Sequence, residues 1–322
     1  DMAMTTSNTS FLQRAQVYSS ELKDILREEM MAQRYVRMLD GFPDGNTFNI
    51  PSIGQAQVDN YTEDSAVTYR PLDTGNFTFT VDKYLSSATY MTKKAEQDLF
   101  YSSELMSRFV PEQERAIMEH FETTTLAAPE SGVSANSNET INGISMRVGS
   151  TGTGEVITLK EFAYARYALK KQNVPDSNLV AIVDPSVEYT LNTLSNIVNV
   201  SNNPRFEGLV RDGIATGMRF VANVYGFDVY CSNFLPDATD NALPDLAAAN
   251  QDYSTDNGKV NLFFSADQSV NPFVGAFRQQ PNVDYDYNKD FQRHEFVTTA
   301  RYGVKLYRPE NMVRVVTKPT VA

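Results

Sequence analysis

The chain has 322 residues, a formal net charge of −12 and 41% hydrophobic residues. This acidic balance argues against nucleic-acid binding through a broad basic surface, because Lys and Arg must neutralise the phosphates. One cysteine and two histidines exclude an intrachain disulfide, a cysteine-based zinc site and a multi-histidine metal site. No apolar run approaches the roughly 18–20 residues that cross a bilayer, and DMAMTTSNTS has no signal-peptide pattern, so no membrane partner is expected.

The first predicted element is an amphipathic helix over residues 11–39, which Gly41 and Pro43 end. Its apolar residues recur at spacings of three and four: Leu12, Ala15, Tyr18, Leu22, Ile25 and Leu26. The pattern suits a core helix, and it equally suits an arm that packs on a neighbouring subunit. Both interpretations stay open at this point.

Two strand-like segments follow, residues 47–59 and residues 76–91. Alternating apolar and polar residues in FTFTVD predict one buried face, and Pro51 predicts an edge or bulge in the first segment. The most economical arrangement is one long hairpin of about 43 Å, against about 50 Å for a globule of this length. Because an isolated two-stranded ribbon is marginal in water, its apolar face must lie on its own domain or on a neighbour.

The tip of this hairpin, residues 60–76, combines large apolar side chains with charges. Aromatic residues and Arg are favoured in protein interfaces, which predicts a subunit contact here. Arg70, the only basic residue of the tip, would meet a carboxylate on the adjacent subunit. The alternative is that the tip folds back on its own body. The predicted contact residues are Tyr61, Glu63, Asp64, Tyr69, Arg70, Leu72 and Asp73.

The remaining pattern mixes helices and strands. A helix over 92–127 contains Pro111, which predicts a kink or a second helix start, and Asp184 with Pro185 predicts the start of a later helix. The other predicted elements are a long polar loop or ribbon over 129–155, a helix over 158–175, a buried strand over 178–183, strands over 219–235 around Gly226, an acidic surface loop over 237–258 and strands from Val260 to Val316.

Few motifs indicate chemistry. Residues Asp284 to Glu295 follow a calcium-loop register, but Lys289 stands where a Gly is needed, and the alternation favours a strand. GSTGTG at 149–154 lacks phosphate-loop spacing and is interpreted as a flexible loop. His120 and His294 are interpreted as packed or solvated residues, and Cys231 as a small core residue. We therefore expect no catalytic residue, no metal and no cofactor.

The order of elements resembles the major capsid proteins of tailed bacteriophages, whose shell fold is shared with encapsulins. FNIPSIGQAQVDNYTED with FTFTVDKYLSSATYM resembles the extended loop of that family, and residues 94–126 resemble its spine helix. NVPDSNLVAIVDPSVEYTL resembles the entry into its axial domain. GFDVYCSNFLP and RYGVKLYRPENMVRV resemble late segments of its axial and peripheral domains.

The resemblance implies an α+β phage capsid shell fold. Its parts would be an N-terminal arm (1–45), an extended β-hairpin loop (46–91), a peripheral domain with a long spine helix (92–157 and 276–303) and an axial α/β domain (158–275 and 304–322). Scaffolding would be separate or already removed. The loop tip from Asn60 to Asn76 contains no Lys, so the cross-linking chemistry of some relatives is not expected.

The resemblance also implies a structural protein without enzyme activity. It would assemble into hexamers and pentamers of an icosahedral shell around double-stranded DNA, without sequence-specific binding, and with portal, scaffolding and decoration proteins as further partners. The chain would be found in the virion after assembly in the bacterial cytoplasm. An encapsulin-type compartment is the first alternative. An acidic carbohydrate-binding or glycoside-processing protein is a more remote one, since a long hairpin arm has no purpose in it.

Overall fold

A computed structural model describes residues 32–39, 45–54, 56–99, 102–193, 220–244, 246 and 250–319 of the chain. Over these ranges the fold is of the α+β class, as the sequence predicts. Within the same ranges, no helix combines the length and apolar character that a bilayer crossing demands.

The described elements are numbered here in chain order. The helices are α1 (Ala32–Tyr35), α2 (Lys93–Asp98), α3 (Ser102–Ala127), α4 (Leu159–Lys171) and α5 (Pro185–Thr193), with 3-10 turns at Ala128–Glu130 and Pro309–Asn311. The strands are β1 (Arg37–Met38), β2 (Thr47–Ile53), β3 (Thr74–Thr80), β4 (Lys83–Thr92), β5 (Thr140–Ile141), β6 (Ile144–Ser145), β7 (Arg147–Gly149), β8 (Leu179–Val183), β9 (Phe220–Val224), β10 (Phe227–Cys231), β11 (Asp237–Ala238), β12 (Leu243–Pro244), β13 (Asn250–Gln251), β14 (Gly258–Ser265), β15 (Phe273–Asn288), β16 (Arg293–Leu306) and β17 (Met312–Thr317).

A four-stranded sheet in the order β1-β15-β16-β4 carries α3 on one face. Gln113 of α3 is buried and binds this sheet in two places. Its amide nitrogen donates to the Phe296 carbonyl oxygen at 3.1 Å, and its amide oxygen accepts from the Thr298 hydroxyl at 2.8 Å. Phe121 lies edge-on to Tyr302 with ring centroids 5.1 Å apart. The two hydrogen bonds satisfy the side-chain amide of Gln113, which the packing of α3 buries.

A seven-stranded mixed sheet follows the order β7-β17-β14-β8-β10-β9, with β11 pairing to β14. The apolar run LVAIV forms β8, which is buried along its whole length, as the sequence predicts. One face packs against α4 and α5, where Phe162 meets Phe263 edge-on at 5.1 Å. The other face packs against Tyr35 at the end of α1, Val36 just after it, and Leu126 near the end of α3. Both faces are therefore covered, which explains the uninterrupted apolar sequence of β8.

Local signals in the sequence set the helix ends near this sheet. Thr158 and Glu161 form a reciprocal capping box at the start of α4. The helix ends before Asn173, whose φ of 61° places it in the left-handed region that Asn tolerates. The Asp184 carboxylate accepts from the Ser186 amide at 3.0 Å at the start of α5. The predicted starts of these two helices are confirmed, whereas α4 ends at Lys171 and not at residue 175.

Two predicted helices are wrong in detail. The first was expected to run to residue 39, but α1 ends at Tyr35 and the chain then pairs as β1 with β15, Arg37 lying opposite Val274. The part of that prediction over residues 11–31 lies outside the described residues. In the second, α3 continues through Pro111, so no second helix starts there. The helix predicted over 92–127 is instead interrupted after Asp98, where Leu99 is extended.

Two loop predictions also need correction. The stretch 237–258 is not simply a surface loop, because it contains β11 to β13 and buries Asp240, Leu243 and Tyr253. The stretch 129–155 contains the short β5–β6 ribbon, which agrees with the prediction, but it also supplies β7, which pairs in parallel with β17 and is buried. In both places tertiary pairing overrides a polar, turn-rich local sequence.

Candidate assembly interface

The hairpin predicted from the sequence is present, with a buried root and an exposed tip, but its ladder is shorter than expected. The first strand ends at Ile53 and not at residue 59, so only residues 47–53 pair with residues 74–80. We call residues 46–82 the arm; this segment belongs to the predicted extended loop (46–91) and is different from the predicted N-terminal arm (1–45). Strands β2 and β3 pair from Thr47–Thr80 to Ile53–Thr74, and the Gly54 amide donates to the Asp73 carbonyl oxygen at 2.7 Å. The predicted single strand over 76–91 is wrong in one respect. It splits at Val81, where the chain leaves β2 and β4 pairs with β16 instead.

The root of the arm is held by apolar packing. Phe79 and Val81 are buried in a small cluster with Val274 and Ala276 of β15. Burial alternates along β3, Thr78 and Thr80 being exposed, as the sequence pattern predicts. Burying a Phe side chain stabilises the folded state by roughly 1.5–3 kcal/mol, so Phe79 is the main apolar anchor of the arm.

Two further contacts fix the direction of the arm. The Lys305 ammonium donates to the Thr78 carbonyl oxygen at 3.1 Å and lies 5.0 Å from the centre of the Phe77 ring. At Gly303 the arm backbone approaches β16 closely, since a Cβ there would lie 2.7 Å from the Thr80 carbonyl oxygen. A glycine is required at this crossing.

Replacing Phe79 by Ala is expected to weaken the packing of the arm root and to destabilise the folded subunit. The loss should be about 3–5 kcal/mol in the free energy of unfolding, because the emptied cavity has few ways to collapse. Denaturant unfolding of unassembled subunits measures it. The matched control is Phe48→Ala, since Phe48 lies opposite Phe79 in the same ladder but is 38% exposed. That change should cost about 1 kcal/mol or less, and equal losses for the two variants would contradict a buried anchor.

The predicted contact residues of the tip all lie together and are all exposed. Tyr69 is 94% exposed, Tyr61 71% and Leu72 52%, and Glu63, Asp64 and Asp73 are exposed beside them. All described residues from 56 to 73 are exposed, so the alternative that the tip folds back on its own body is wrong.

Sequence reasoning missed two members of the tip surface. Val58 is 96% exposed and Val67 63% exposed, which extends the apolar surface of Tyr61 and Tyr69 along both limbs of the hairpin. In the sequence, each of these residues is an isolated Val within a polar limb of the hairpin, and this pattern could have identified them. Exposed apolar side chains gathered in one protrusion are typical of an interaction surface.

Arg70 has partners within its own arm. Its guanidinium lies 3.1 Å from the Asp59 carboxylate and also donates to Gln57. Both members of the ion pair are about half exposed, so the pair contributes about 0–1 kcal/mol. Arg70 therefore stiffens the tip by joining its two limbs, and a contact to an adjacent subunit is not needed to explain it.

A second feature joins the turn after α3 to the seven-stranded sheet through buried charges, and we call Glu130, Arg147, Asp240 and Arg314 the ionic cluster. Arg147 in β7 makes a two-pronged contact with Asp240, at 2.9 and 2.6 Å, and binds the Glu130 carboxylate at 3.1 Å. Arg314 in β17 donates to the Pro129 carbonyl oxygen at 2.5 Å and lies 3.6 Å from Glu130. The turn that ends α3 is thereby fixed to the edge of the seven-stranded sheet.

The charges of the ionic cluster are balanced and desolvated. Burial acts to raise the pKa of Asp240, but hydrogen bonds from Arg147 and the Asn136 amide, with the Arg147 charge, outweigh it and hold this pKa below its ordinary value. Asp240 therefore stays ionised at neutral pH. Sequence reasoning missed this cluster, since Arg147 and Asp240 are 93 positions apart.

The motifs considered for metal or catalytic chemistry are accounted for by structure. Among the described residues, no group of three or more His, Cys, Asp or Glu side chains could hold a metal ion. The calcium-like stretch forms the end of β15 and its turn into β16. His120 binds the Tyr302 hydroxyl at 2.7 Å, His294 binds the Tyr285 hydroxyl at 2.7 Å, and Cys231 is buried.

Comparisons with known proteins agree with this geometry. The sequence profile of the phage capsid protein family matches residues 76–315. The chain therefore belongs to the phage capsid protein family, and it is a capsid shell protein. No curated protein matches the sequence.

Solved structures share the fold at low sequence identity. The capsid of cyanophage P-SCSP1u matches with a TM-score of 0.70 and 14% identity over 98% of this chain and 96% of that one. The bacteriophage PhiM1 mature capsid matches with a TM-score of 0.69 and 12% identity over 99% and 98%. A structure of Mycobacterium phage Che8 matches with a TM-score of 0.66 and 14% identity over 94% and 96%.

Proposed function

We propose that this capsid protein assembles into hexamers and pentamers, which form the icosahedral shell of a tailed bacteriophage around double-stranded DNA. The observation that carries the proposal is the arm, with its buried root and a tip whose apolar side chains are 52% to 96% exposed in the single chain. A protrusion of this kind gains stability when a neighbouring subunit covers it.

The arm tip is the proposed subunit contact, through Tyr61, Tyr69 and Leu72 together with Val58 and Val67. The acidic residues Glu63, Asp64 and Asp73 surround these side chains and would select a neighbour surface of opposite charge. The rigid root would set the direction in which the tip reaches. Self-assembly by this contact follows from the same surface being present on every copy.

The two sheets suggest a division of labour. The four-stranded sheet with α3 would be the centre of the peripheral domain, although β1 and β4 come from the ranges first given to the N-terminal arm and the extended loop. The seven-stranded sheet with α4 and α5 would be the centre of the axial domain, although β7 comes from the range first given to the peripheral domain. The ionic cluster would keep the two in a fixed relation within each subunit. Portal, scaffolding and decoration proteins are proposed partners, and assembly in the bacterial cytoplasm precedes a final location in the virion.

Sedimentation of the purified full chain tests the proposal. Together with any scaffolding partner, it should form megadalton particles that negative-stain images show as closed shells. Particles that package DNA with no preferred sequence are expected, because the net charge of −12 disfavours tight phosphate contacts. A chain that stays monomeric at every salt and protein concentration would overturn the proposal.

Particles should separate into single chains in hot detergent. The tip from Asn60 to Asn76 has no Lys to form a cross-link with a neighbour, and the single Cys231 is buried. A reducing gel of heated particles should show one band at the position of the single chain. A ladder of chain multimers would show that covalent joining occurs.

A further inference from the structure

We propose that two copies of this chain join across a two-fold axis by pairing their β4 strands antiparallel, centred on Ser87. The pairing would make one sheet that continues from subunit to subunit. The inference rests on the proposed self-assembly and adds a second contact, separate from the arm tip.

Strand β4 is an open edge of the four-stranded sheet. It is the last strand in the order, and its ladder with β16 runs without a register shift from Lys83–Tyr302 to Thr92–Arg293. Among the described residues, no backbone hydrogen bond outside this ladder reaches residues 83–92. Alternate amide and carbonyl groups along the outer side of β4 are thus free to pair with another strand.

The opposite edge of the same sheet is protected, and β4 is not. Beyond its short pairing with β1, β15 contains Pro281, two register shifts and the exposed carboxylates Asp284 and Asp286. Proline, bulges and charges are the usual features that prevent edge pairing. Residues 84–92, YLSSATYMT, contain no charge and no proline, and their ladder is regular.

Symmetry restricts the register and the pairing of the two tyrosines selects it. An axis perpendicular to the sheet keeps each face on its own side, so the centre must fall on a residue. Centring on Ser87 places Tyr84 opposite the partner's Tyr90 and Lys83 opposite the partner's Met91. Centring on Ala88 would place Lys83 opposite the partner's Lys93, which like charges disfavour. Among the residue centres on β4, only Ser87 pairs the exposed Tyr84 with the partner's Tyr90.

The tyrosines of β4 gain most from the pairing. Tyr84 is 66% exposed and Tyr90 59% exposed, both on the face turned away from α3. The Arg293 guanidinium lies over the Tyr90 ring at 4.6 Å and holds it in place. Aromatic pairs directly across an antiparallel ladder stabilise a sheet.

A single cysteine variant tests the register. Residue 87 faces its own copy in the proposed pair, with Cβ atoms about 4.5–5.5 Å apart, near the reach of a disulfide. Assembled particles of Ser87→Cys should, after mild oxidation, convert more than about half of their chains to a two-chain band on a non-reducing gel. The control Ser86→Cys changes a more exposed neighbour. Its copies lie diagonally, about 7–8 Å apart, and should stay single.

The Ser87 side chain lies on the α3 side of the sheet, so a Cys at this position could disturb the packing of α3. A second variant therefore tests the same register without changing that face. Ser86→Cys/Ala88→Cys changes only the exposed face and should also give two-chain bands, because residue 86 lies opposite residue 88 of the partner. Three results would show that the β4 pairing is wrong while self-assembly stands. Particles could form although both variants remain single chains, or Ser86→Cys could cross-link as efficiently as Ser87→Cys. The third is a gel band that contains more than two chains. If the unmodified chain forms no particles, both proposals fail.

Discussion

Joining Gly54 to Asp73 through an Asn-Gly turn is expected to leave a folded subunit that no longer assembles. The removed segment contributes only exposed side chains among its described residues, and the β2–β3 ladder ends at Ile53 and Thr74. Asn-Gly is the preferred two-residue connection between antiparallel strands, so the shortened hairpin closes without strain. The free energy of unfolding should stay within about 1 kcal/mol, since no buried contact is lost.

The loss of assembly should be large. Interface energy is concentrated in a few aromatic and apolar side chains, and the deletion removes Tyr61, Val67, Tyr69 and Leu72 together. Particle yield by sedimentation should fall by at least about tenfold. Normal particles from the shortened chain would show that the tip is not an assembly contact, and a subunit that fails to fold would show that the tip supports its own core.

A point substitution with a matched control refines this test. Tyr69→Ser removes the most exposed tyrosine of the tip, and Tyr189→Ser removes a tyrosine of α5 that is 48% exposed. Each change removes one exposed tyrosine ring. Only the first is expected to raise the protein concentration needed for assembly, because only Tyr69 belongs to the proposed contact.

Replacing Asp240 by Asn is expected to destabilise the subunit by about 3–5 kcal/mol, because it leaves buried positive charge without its closest partner. Arg147 would keep only the Glu130 carboxylate, while Arg314 adds a second buried positive charge nearby. Denaturant unfolding of unassembled subunits measures the loss. Asp237→Asn is the control, since Asp237 pairs with Lys259 at the surface and should cost less than about 1 kcal/mol.

The effect of Asp240→Asn should depend on pH in one direction. The folded state lowers the pKa of Asp240, so its contribution to stability is complete above the ordinary Asp pKa of about 3.9 and is lost as the pH falls through the lower folded value. The difference between the unmodified chain and the variant should be largest at neutral pH and should narrow below about pH 4. A difference that does not change over this range would contradict an ionised Asp240 in the fold.

The ionic cluster and the arm have related consequences for a shell. The position that the arm tip gives to a neighbouring subunit depends on how rigidly the arm and the two sheets are held within each subunit. Arg147 and Arg314 fix the end of α3 to the seven-stranded sheet, while Lys305 and Gly303 fix the root of the arm to β16. Weakening either attachment should broaden the angles at which subunits meet, and with them the sizes of the particles.

Much of the local structure follows from the sequence. The alternation at Phe77, Phe79 and Val81 predicts the buried face of β3, and the apolar run LVAIV predicts β8. Asp184 with Pro185 predicts the start of α5. Each signal comes from adjacent residues, whose steric and solvation preferences act before any distant contact forms.

Only the tertiary structure decides the partners. Residues 76–91 have strand character throughout, but the split at Val81 depends on β16 lying beside β4, more than 200 residues away in sequence. The pairing of Arg70 with Asp59 and the pairing of Arg147 with Asp240 also depend on the folded structure and could not be predicted from neighbouring residues. Charge and polarity in the sequence predict that a side chain needs a partner or solvent. Which of these it receives depends on the distant segments that the folded chain brings within a few ångströms.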